Sequence, residues 1–306
     1  MLETKSTEES KEGPVPVKKT TGIFATLKEW SEMIKLEHTV FALPFALSGL
    51  LLGNDKLPPL MTWVWTVLAF AGARAAAMTL NRLIDASIDA LNPRTSTRAI
   101  PAGKIGKLQA LAFAIASFTL MIAAAMQLPP ICLLLSPIAV IWLSFYSFTK
   151  RFTWLCHIVL GIALGGAALG GWVASGATLN SPNPWILALA VSTWVAGFDI
   201  IYALQDVSFD QENKLHSIPA QFGISNALII SSFLHLVTMA ALLMLGIKMN
   251  LGAAYWLGIS MVGIMLKYEH SLVKPDDLSK INAVFFNTNG IVSIATFVAV
   301  LIDRII

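Results

Sequence analysis

Charge is scarce in this sequence. Asp, Glu, Lys and Arg make up 13% of its 306 residues, roughly half the share of an ordinary soluble domain. That is too little to coat a water-soluble globule of this size, which excludes a cytosolic enzyme and a disordered chain. Cysteine is nearly absent. Cys132 and Cys156 are the two thiols, too few for a secreted disulfide scaffold. They fall near opposite faces of the membrane spans read below, so they count as apolar packing residues that do not pair. A formal net charge of +3 leaves no basic footprint for nucleic acid. The N-terminus lacks the apolar core of a secretory signal: residues 1–22 hold four acids and four lysines and read as a solvated tail. What the chain has in abundance is apolar sequence, 56% by composition with a mean hydropathy of +0.70. It reads as an integral membrane protein whose first partner is the lipid bilayer.

Residues 23–306 read as one all-α transmembrane domain. Phe24, Leu27, Trp30 and Ile34 recur at three- and four-residue steps, the pattern of a short amphipathic helix on the membrane surface. Nine apolar segments follow, near 37–54, 61–84, 106–127, 130–149, 154–175, 185–206, 225–247, 251–268 and 282–302, each close to the ~20 residues that cross a bilayer core. If they alternate, seventeen of the twenty-one Lys and Arg residues fall on the side of the N-terminus, and only Lys56, Lys248 and Arg304 on the other. Positive charge stays inside, so the N-terminus is expected in the cytoplasm, of a bacterial inner membrane.

Acids are rare in the spans but cluster at two of their ends. Asn81, Asp85 and Asp89 are four apart and share a helical face. Asp199, Tyr202, Asp206 and Asp210 form a second stripe, and 81 to 202, 85 to 206 and 89 to 210 are each offset by 121. Ile100-Pro101-Ala102 returns as Ile218-Pro219-Ala220. The pattern reads as two four-helix repeats with their sites facing one another. Carboxylates so close repel, and divalent cations relieve the repulsion. Mg²⁺ takes one or two carboxylates plus waters and phosphate oxygens. Arg94, Arg98, Lys150, Arg151 and Lys214 lie on the same face, and acids, metals and bases together suit a diphosphate. The apolar helices can hold a long tail, so the implied substrate is a lipid diphosphate.

These residues resemble a known family. Asn81-x-x-x-Asp85-x-x-x-Asp89 and Asp199-x-x-Tyr202-x-x-x-Asp206-x-x-x-Asp210 look like the two signatures of the UbiA-type intramembrane aromatic prenyltransferases. Tyr146-Ser-Phe-Thr-Lys150-Arg151 resembles the family's Tyr-Pro-x-x-Lys-Arg, and Lys35 to Phe45 resembles the 4-hydroxybenzoate polyprenyltransferase branch. Arg82 stands where many members carry a second acid. The resemblance implies Mg²⁺-dependent transfer of a polyprenyl group from polyprenyl diphosphate to an aromatic acid, in ubiquinone or menaquinone biosynthesis. It implies Asn81, Asp85, Asp89, Asp206 and Asp210 as metal-site residues, with Arg94, Tyr146, Lys150, Arg151 and Lys214 at the diphosphate.

Arg74 lies inside the second span, on the face of Asn81. An intramembrane arginine is a functional candidate, either for the acceptor's carboxylate or for pairing with Asp199. Asp199 lies deeper than Asp206 and reads either as the group that orients or deprotonates the acceptor's hydroxyl or as a further metal ligand. Tyr202 either donates to a phosphate or bonds between helices. Glu37 and His38 are placed at the interface or the acceptor site, His235 in an interhelical hydrogen bond, Asn287 and Asn289 in bonds to neighbouring helices, and the glycine run 161–176 in close helix packing. His157, Glu269 and His270 are given no special role. Three alternatives remain: a dihydroxynaphthoate acceptor, CDP-alcohol phosphotransfer, and a cation transporter using the facing carboxylates.

Overall fold

The computed structural model describes residues 23–35 and 39–306. The expected tail over 1–22 and the roles weighed for Glu37 and His38 lie outside the described residues. The described chain is helical, and its one β-type contact is an isolated bridge between Lys274 and Asp277. A surface helix α1 (Ile23–Met33) precedes α2 (Thr39–Leu52), α3 (Leu60–Ile84) and the short α4 (Ala86–Asp89). Then come α5 (Lys107–Ala125), α6 (Pro130–Phe145), a 3-10 segment over Tyr146–Arg151 and α7 (Cys156–Ala174). The second half holds α8 (Asn183–Ala203), a 3-10 turn Leu204–Asp206, α9 (Val207–Glu212), α10 (Ile218–Phe222), α11 (Ile224–Lys248), α12 (Ala253–Leu272) and α13 (Ile281–Ile305).

A helix occupies each of the nine expected segments. Seven are long and apolar enough to cross a membrane: α3, α5, α6, α7, α8, α11 and α13. Helix α2 is apolar but only 14 residues long, about 21 Å at 1.5 Å per residue. Helix α12 has the length, but Lys267, Glu269 and His270 near its end dilute its hydropathy. Starts and stops follow local chemistry: Pro58-Pro59 precedes α3, and prolines open α6 and α8, where a missing N–H costs nothing.

Apolar groups point both ways, as lipid demands. Leu134, Ile138 and Ile141 of α6 stand well exposed, whereas α8 runs through the interior, with Trp194, Val191, Ile200 and Ile201 buried. Helix α8 packs against α7 and α11, and α2 lies between α7 and α13. The approach of α7 to α2 needs glycine. A Cβ on Gly171 would sit 1.7 Å from the Ala46 carbonyl oxygen, and one on Gly49 2.1 Å from that of Ala168. On its other side, Gly161 and Gly165 meet Ser192 and Ala188 of α8. Gly166 and Gly170 face open space, so only part of the run serves packing.

Helix α1 uses its described apolar side chains on protein. Met33 is buried with Ala86, Ile100, Ile105 and Ala110, and the Trp30 ring lies 4.6 Å from that of Phe113. His235 bridges α12 and α8, to His270 at 2.9 Å and to the Trp194 carbonyl oxygen at 3.2 Å. Asn289 donates to Phe285 of its own helix at 3.0 Å and also bonds Glu269 of α12.

Candidate active site

Both acidic stripes bend where their aspartates lie. Asp85, with φ −88° and ψ 3°, separates α3 from α4. Asp206, with φ −109° and ψ 7°, caps α9 after the 3-10 turn. Both residues occupy the sparsely populated bridge region. The first stripe survives its bend because Asp85 N–H still bonds to Asn81 O at 2.9 Å and Asp89 N–H to Asp85 O at 2.7 Å. Downstream the halves diverge: Ile100-Pro101-Ala102 forms turns, whereas Ile218-Pro219-Ala220 opens α10.

Each of the four stripe-end carboxylates is held by its own base. Arg98 Nη1 lies 2.7 Å from both oxygens of buried Asp89. Arg94, from the loop after the first stripe, donates through Nε to Asp206 Oδ1 at 2.9 Å and through Nη2 to Oδ2. Arg151 contacts Asp85 Oδ1 at 3.0 Å, and Lys150 contacts Asp210 Oδ1 at 2.7 Å. Lys150 and Arg151 are adjacent in the chain, so their Cα atoms are about 3.8 Å apart. They reach one carboxylate of each stripe, and this brings the ends of α3 and α8 together around the 3-10 segment. The His216 N–H bond to Lys150 O at 2.8 Å fixes that segment to the loop after α9. Burial, then the Asp89 charge, push Asp85 above the usual carboxylate range against the pull of Arg151. Burial lowers the Arg94 guanidinium, but its bonds to Asp206 outweigh that and leave it above its ordinary value.

The remaining candidates are spread around this junction. Asn81 Nδ2 donates to Asp85 Oδ2 at 3.0 Å. Tyr202 accepts from Arg94 at 3.3 Å, and its ring lies 4.3 Å from that of Phe285. The Tyr146 hydroxyl donates to the Ala77 carbonyl of α3 at 3.3 Å, an interhelical bond. Arg74 donates to the Lys35 carbonyl at 3.4 Å, toward the segment joining α1 and α2. Asp199 has His157 as its partner, Nδ1 to Oδ2 at 2.7 Å. Lys214 is exposed, with φ +54°, and lines a separate shallow hollow with Asp210. A hollow of about 250 Å³ opens beside the junction, with Lys35, Arg82, Arg94, Arg98, Lys104 and Tyr202 in its wall. Of its five cations Arg94 and Arg98 are already paired with Asp206 and Asp89, and Glu29 and Glu32 also line it.

The donor set fits a hard divalent cation, since carboxylate and amide oxygens suit Mg²⁺. Among the described residues no three His, Cys, Asp or Glu side chains converge on one point. Four bases supply the countercharge that like-charged carboxylates need, and each carboxylate keeps acceptor sites beyond its base. Sequence reasoning passed over His157, Asn92, Ser217 and the contact made by Arg82. Asn92 donates to Asp206 at 3.1 Å, Ser217 to Asp210 at 2.9 Å, and Arg82, largely buried, lies 3.5 Å from Asn81 Oδ1.

The chain is similar to known proteins over most of its length. The profile of the UbiA prenyltransferase family matches residues 42–291. The 4-hydroxybenzoate octaprenyltransferase of Vibrio cholerae is 31% identical over 245 residues, 79% of this chain and 84% of that protein. That of Pseudoalteromonas translucida is 30% identical over 253 residues, 83% and 86% of the two. The apo structure of a UbiA homolog from Aeropyrum pernix K1 aligns with a TM-score of 0.81 at 33% identity, over 87% of this chain and 98% of that one. A UbiA homolog from Archaeoglobus fulgidus, bound to DMAPP and Mg²⁺, shares the fold with a TM-score of 0.71 at 22% identity, over 91% and 99%. Two acidic helix ends, the basic segment between them and these matches lead to one assignment: the chain belongs to the UbiA prenyltransferase family.

Proposed function

We propose that the protein transfers a polyprenyl group from polyprenyl diphosphate to the ring of an aromatic acid, 4-hydroxybenzoate, with Mg²⁺ as cofactor. The observation that carries this reading is the junction itself, where adjacent Lys150 and Arg151 each pair with a carboxylate of a different stripe. The names of the curated relatives support the acceptor. The excess of Lys and Arg at this end supports its lying in the cytoplasm.

Asp85, Asp89, Asp206 and Asp210, with Asn81, would hold the metal, whose charge when bound stabilises the leaving diphosphate. Arg94, Lys150 and Arg151 then turn from carboxylates to phosphate oxygens, with Lys214 at the rim and Tyr202 as a hydroxyl donor, while Tyr146 holds α3 through the Ala77 carbonyl. Arg74 takes the acceptor's carboxylate as a fork. Asp199 receives the phenolic proton, which makes the ring more nucleophilic. A ring carbon bonds to the allylic carbon as the allylic C–O bond breaks, its electron pair leaving with diphosphate. The ring hydrogen then departs as a proton to a diphosphate oxygen, and the ring oxygen takes its proton back from Asp199. Apolar walls keep water from the cation.

The test is product formation by purified protein in lipid vesicles with Mg²⁺, a polyprenyl diphosphate, and 4-hydroxybenzoate beside other aromatic acids including a dihydroxynaphthoate. Asp85→Ala and Asp206→Ala should each lower turnover by at least about 100-fold, the scale of a lost electrostatic contact. Activity that survives both substitutions removes the mechanism, and no product with any acceptor removes the function.

A further inference from the structure

We infer that His157 is a positioning residue for Asp199 and acts through it on the hydroxyl of the acceptor. This rests on the function proposed above. His157 is the second residue of α7, 3% exposed, and its Nδ1 lies 2.7 Å from Asp199 Oδ2. A carboxylate only accepts, so Nδ1 carries the hydrogen. The far nitrogen, Nε2, is buried without a hydrogen-bond partner. Apart from the neighbouring Cys156 thiol, the polar partner of the imidazole is Asp199. Asp199 is different: its side chain is 26% exposed, so the carboxylate is anchored on one side and accessible on the other.

The backbone around the pair is fixed independently. Gly161 and Gly165 place α7 in close contact with Ser192 and Ala188 of α8. His157 continues that stripe one turn toward the acidic end, because residues four apart share a face. The helices run antiparallel, so the start of α7 meets the end of α8, where Asp199 lies. Holding the two helices together does not require the His157–Asp199 bond. What the bond does is fix the rotamer of a carboxylate that otherwise turns freely, leaving Oδ1 for the acceptor. The phenolic proton passes to Asp199 and returns from it, while His157 keeps its Nδ1 hydrogen throughout, so the proton balance of transfer is unchanged.

Three variants separate this role from a structural one. Asn at 157 puts an amide N–H near the place of Nδ1, Gln puts it near Nε2, and Ala has neither. His157→Asn should keep kcat within about threefold, whereas His157→Ala and His157→Gln should lose roughly 100-fold, the scale of a mispositioned reacting group. KM for the prenyl diphosphate should stay unchanged in all three, as should calorimetric binding of a prenyl thiodiphosphate with Mg²⁺. With 3-fluoro-4-hydroxybenzoate, whose hydroxyl yields its proton more readily, the loss in His157→Ala should shrink to less than about tenfold, because less is asked of the base. Wild-type activity with no difference among the variants overturns the inference and leaves the function standing. The same loss on both acceptors, with weakened diphosphate binding, overturns it in favour of a purely structural pair. No wild-type product with any acceptor overturns the proposed function itself.

Discussion

The Lys150–Asp210 pair has unequal partners, and the inequality can be measured. Asp210 is 0% exposed and accepts from Ser217 at 2.9 Å, whereas the Lys150 side chain is 36% exposed. Lys150→Met leaves a carboxylate in the interior with one hydroxyl donor, at a cost of about 3 kcal/mol, the low end for a broken buried pair because Ser217 remains. Asp210→Asn keeps the Ser217 bond and frees a lysine whose head can reach water, so it costs about 1 kcal/mol. The double variant leaves no buried charge and should cost about 1–2 kcal/mol, well short of the sum of the single changes, with the difference measuring the coupling. The assay is thermal unfolding in detergent without Mg²⁺. At about 2 °C per kcal/mol for a chain of this size, Lys150→Met should lower Tm by about 6 °C and Asp210→Asn by about 2 °C. If Asp210→Asn proves the more damaging, or the double variant is additive, the reasoning fails.

Three further outcomes follow from the geometry. Arg74→Ala should raise KM for the aromatic acid by at least about tenfold, the loss of a charge-assisted contact of some 1.5 kcal/mol, and leave KM for the diphosphate within twofold; the reverse pattern excludes its acceptor role. Gly171→Ala should cost about 3 kcal/mol or more, because the new methyl meets the Ala46 carbonyl at 1.7 Å, while Gly170→Ala, facing open space, should leave Tm in place. Lys150→Met should tighten binding of Mg²⁺ alone, since the base competing for Asp210 is gone, and weaken binding of a prenyl thiodiphosphate; calorimetric changes of the same sign for both ligands contradict the ion-pair arrangement.

Much of this was legible in the sequence, and the rest was hidden for definable reasons. Apolar run length located the helices, seven of which are long and apolar enough to cross a membrane, and the four-residue spacing of Asn81, Asp85 and Asp89 survives even where α3 breaks, because the backbone bonds continue through Asp85. Spacing could not show which base each acid takes: that choice is made by the 3-10 segment that swings Lys150 toward one stripe and Arg151 toward the other. Ser217 had a signal, since a serine before Ile-Pro reads as an N-cap, and it does accept from Ala220 N–H at 3.3 Å. His157 had one too. It precedes Gly161 and Gly165 at four-residue steps, on the face that meets α8. The packing of Trp30 and Met33 had none, because an amphipathic helix shows the same periodicity whether its apolar face meets lipid or protein.

The ion pairs give the site a logic that neither acids nor bases have alone. Four carboxylates gathered without countercharge would destabilise the ends of α3 and α8, and four cations without acids would repel one another across the same few ångströms. Paired, they cancel, and the junction holds together without a ligand. The cancellation also sets a condition for entry. A lone anion must pull Arg94, Lys150 and Arg151 away from buried or half-buried carboxylates and leave those uncompensated, while a lone cation must do the same to the bases. A ligand that brings both signs, such as the proposed diphosphate with its magnesium, would offer partners to acids and bases together. Under the proposed function, the pairing of Asp85, Asp89, Asp206 and Asp210 with their four bases would favour a metal-bound diphosphate over a free phosphate or a free cation.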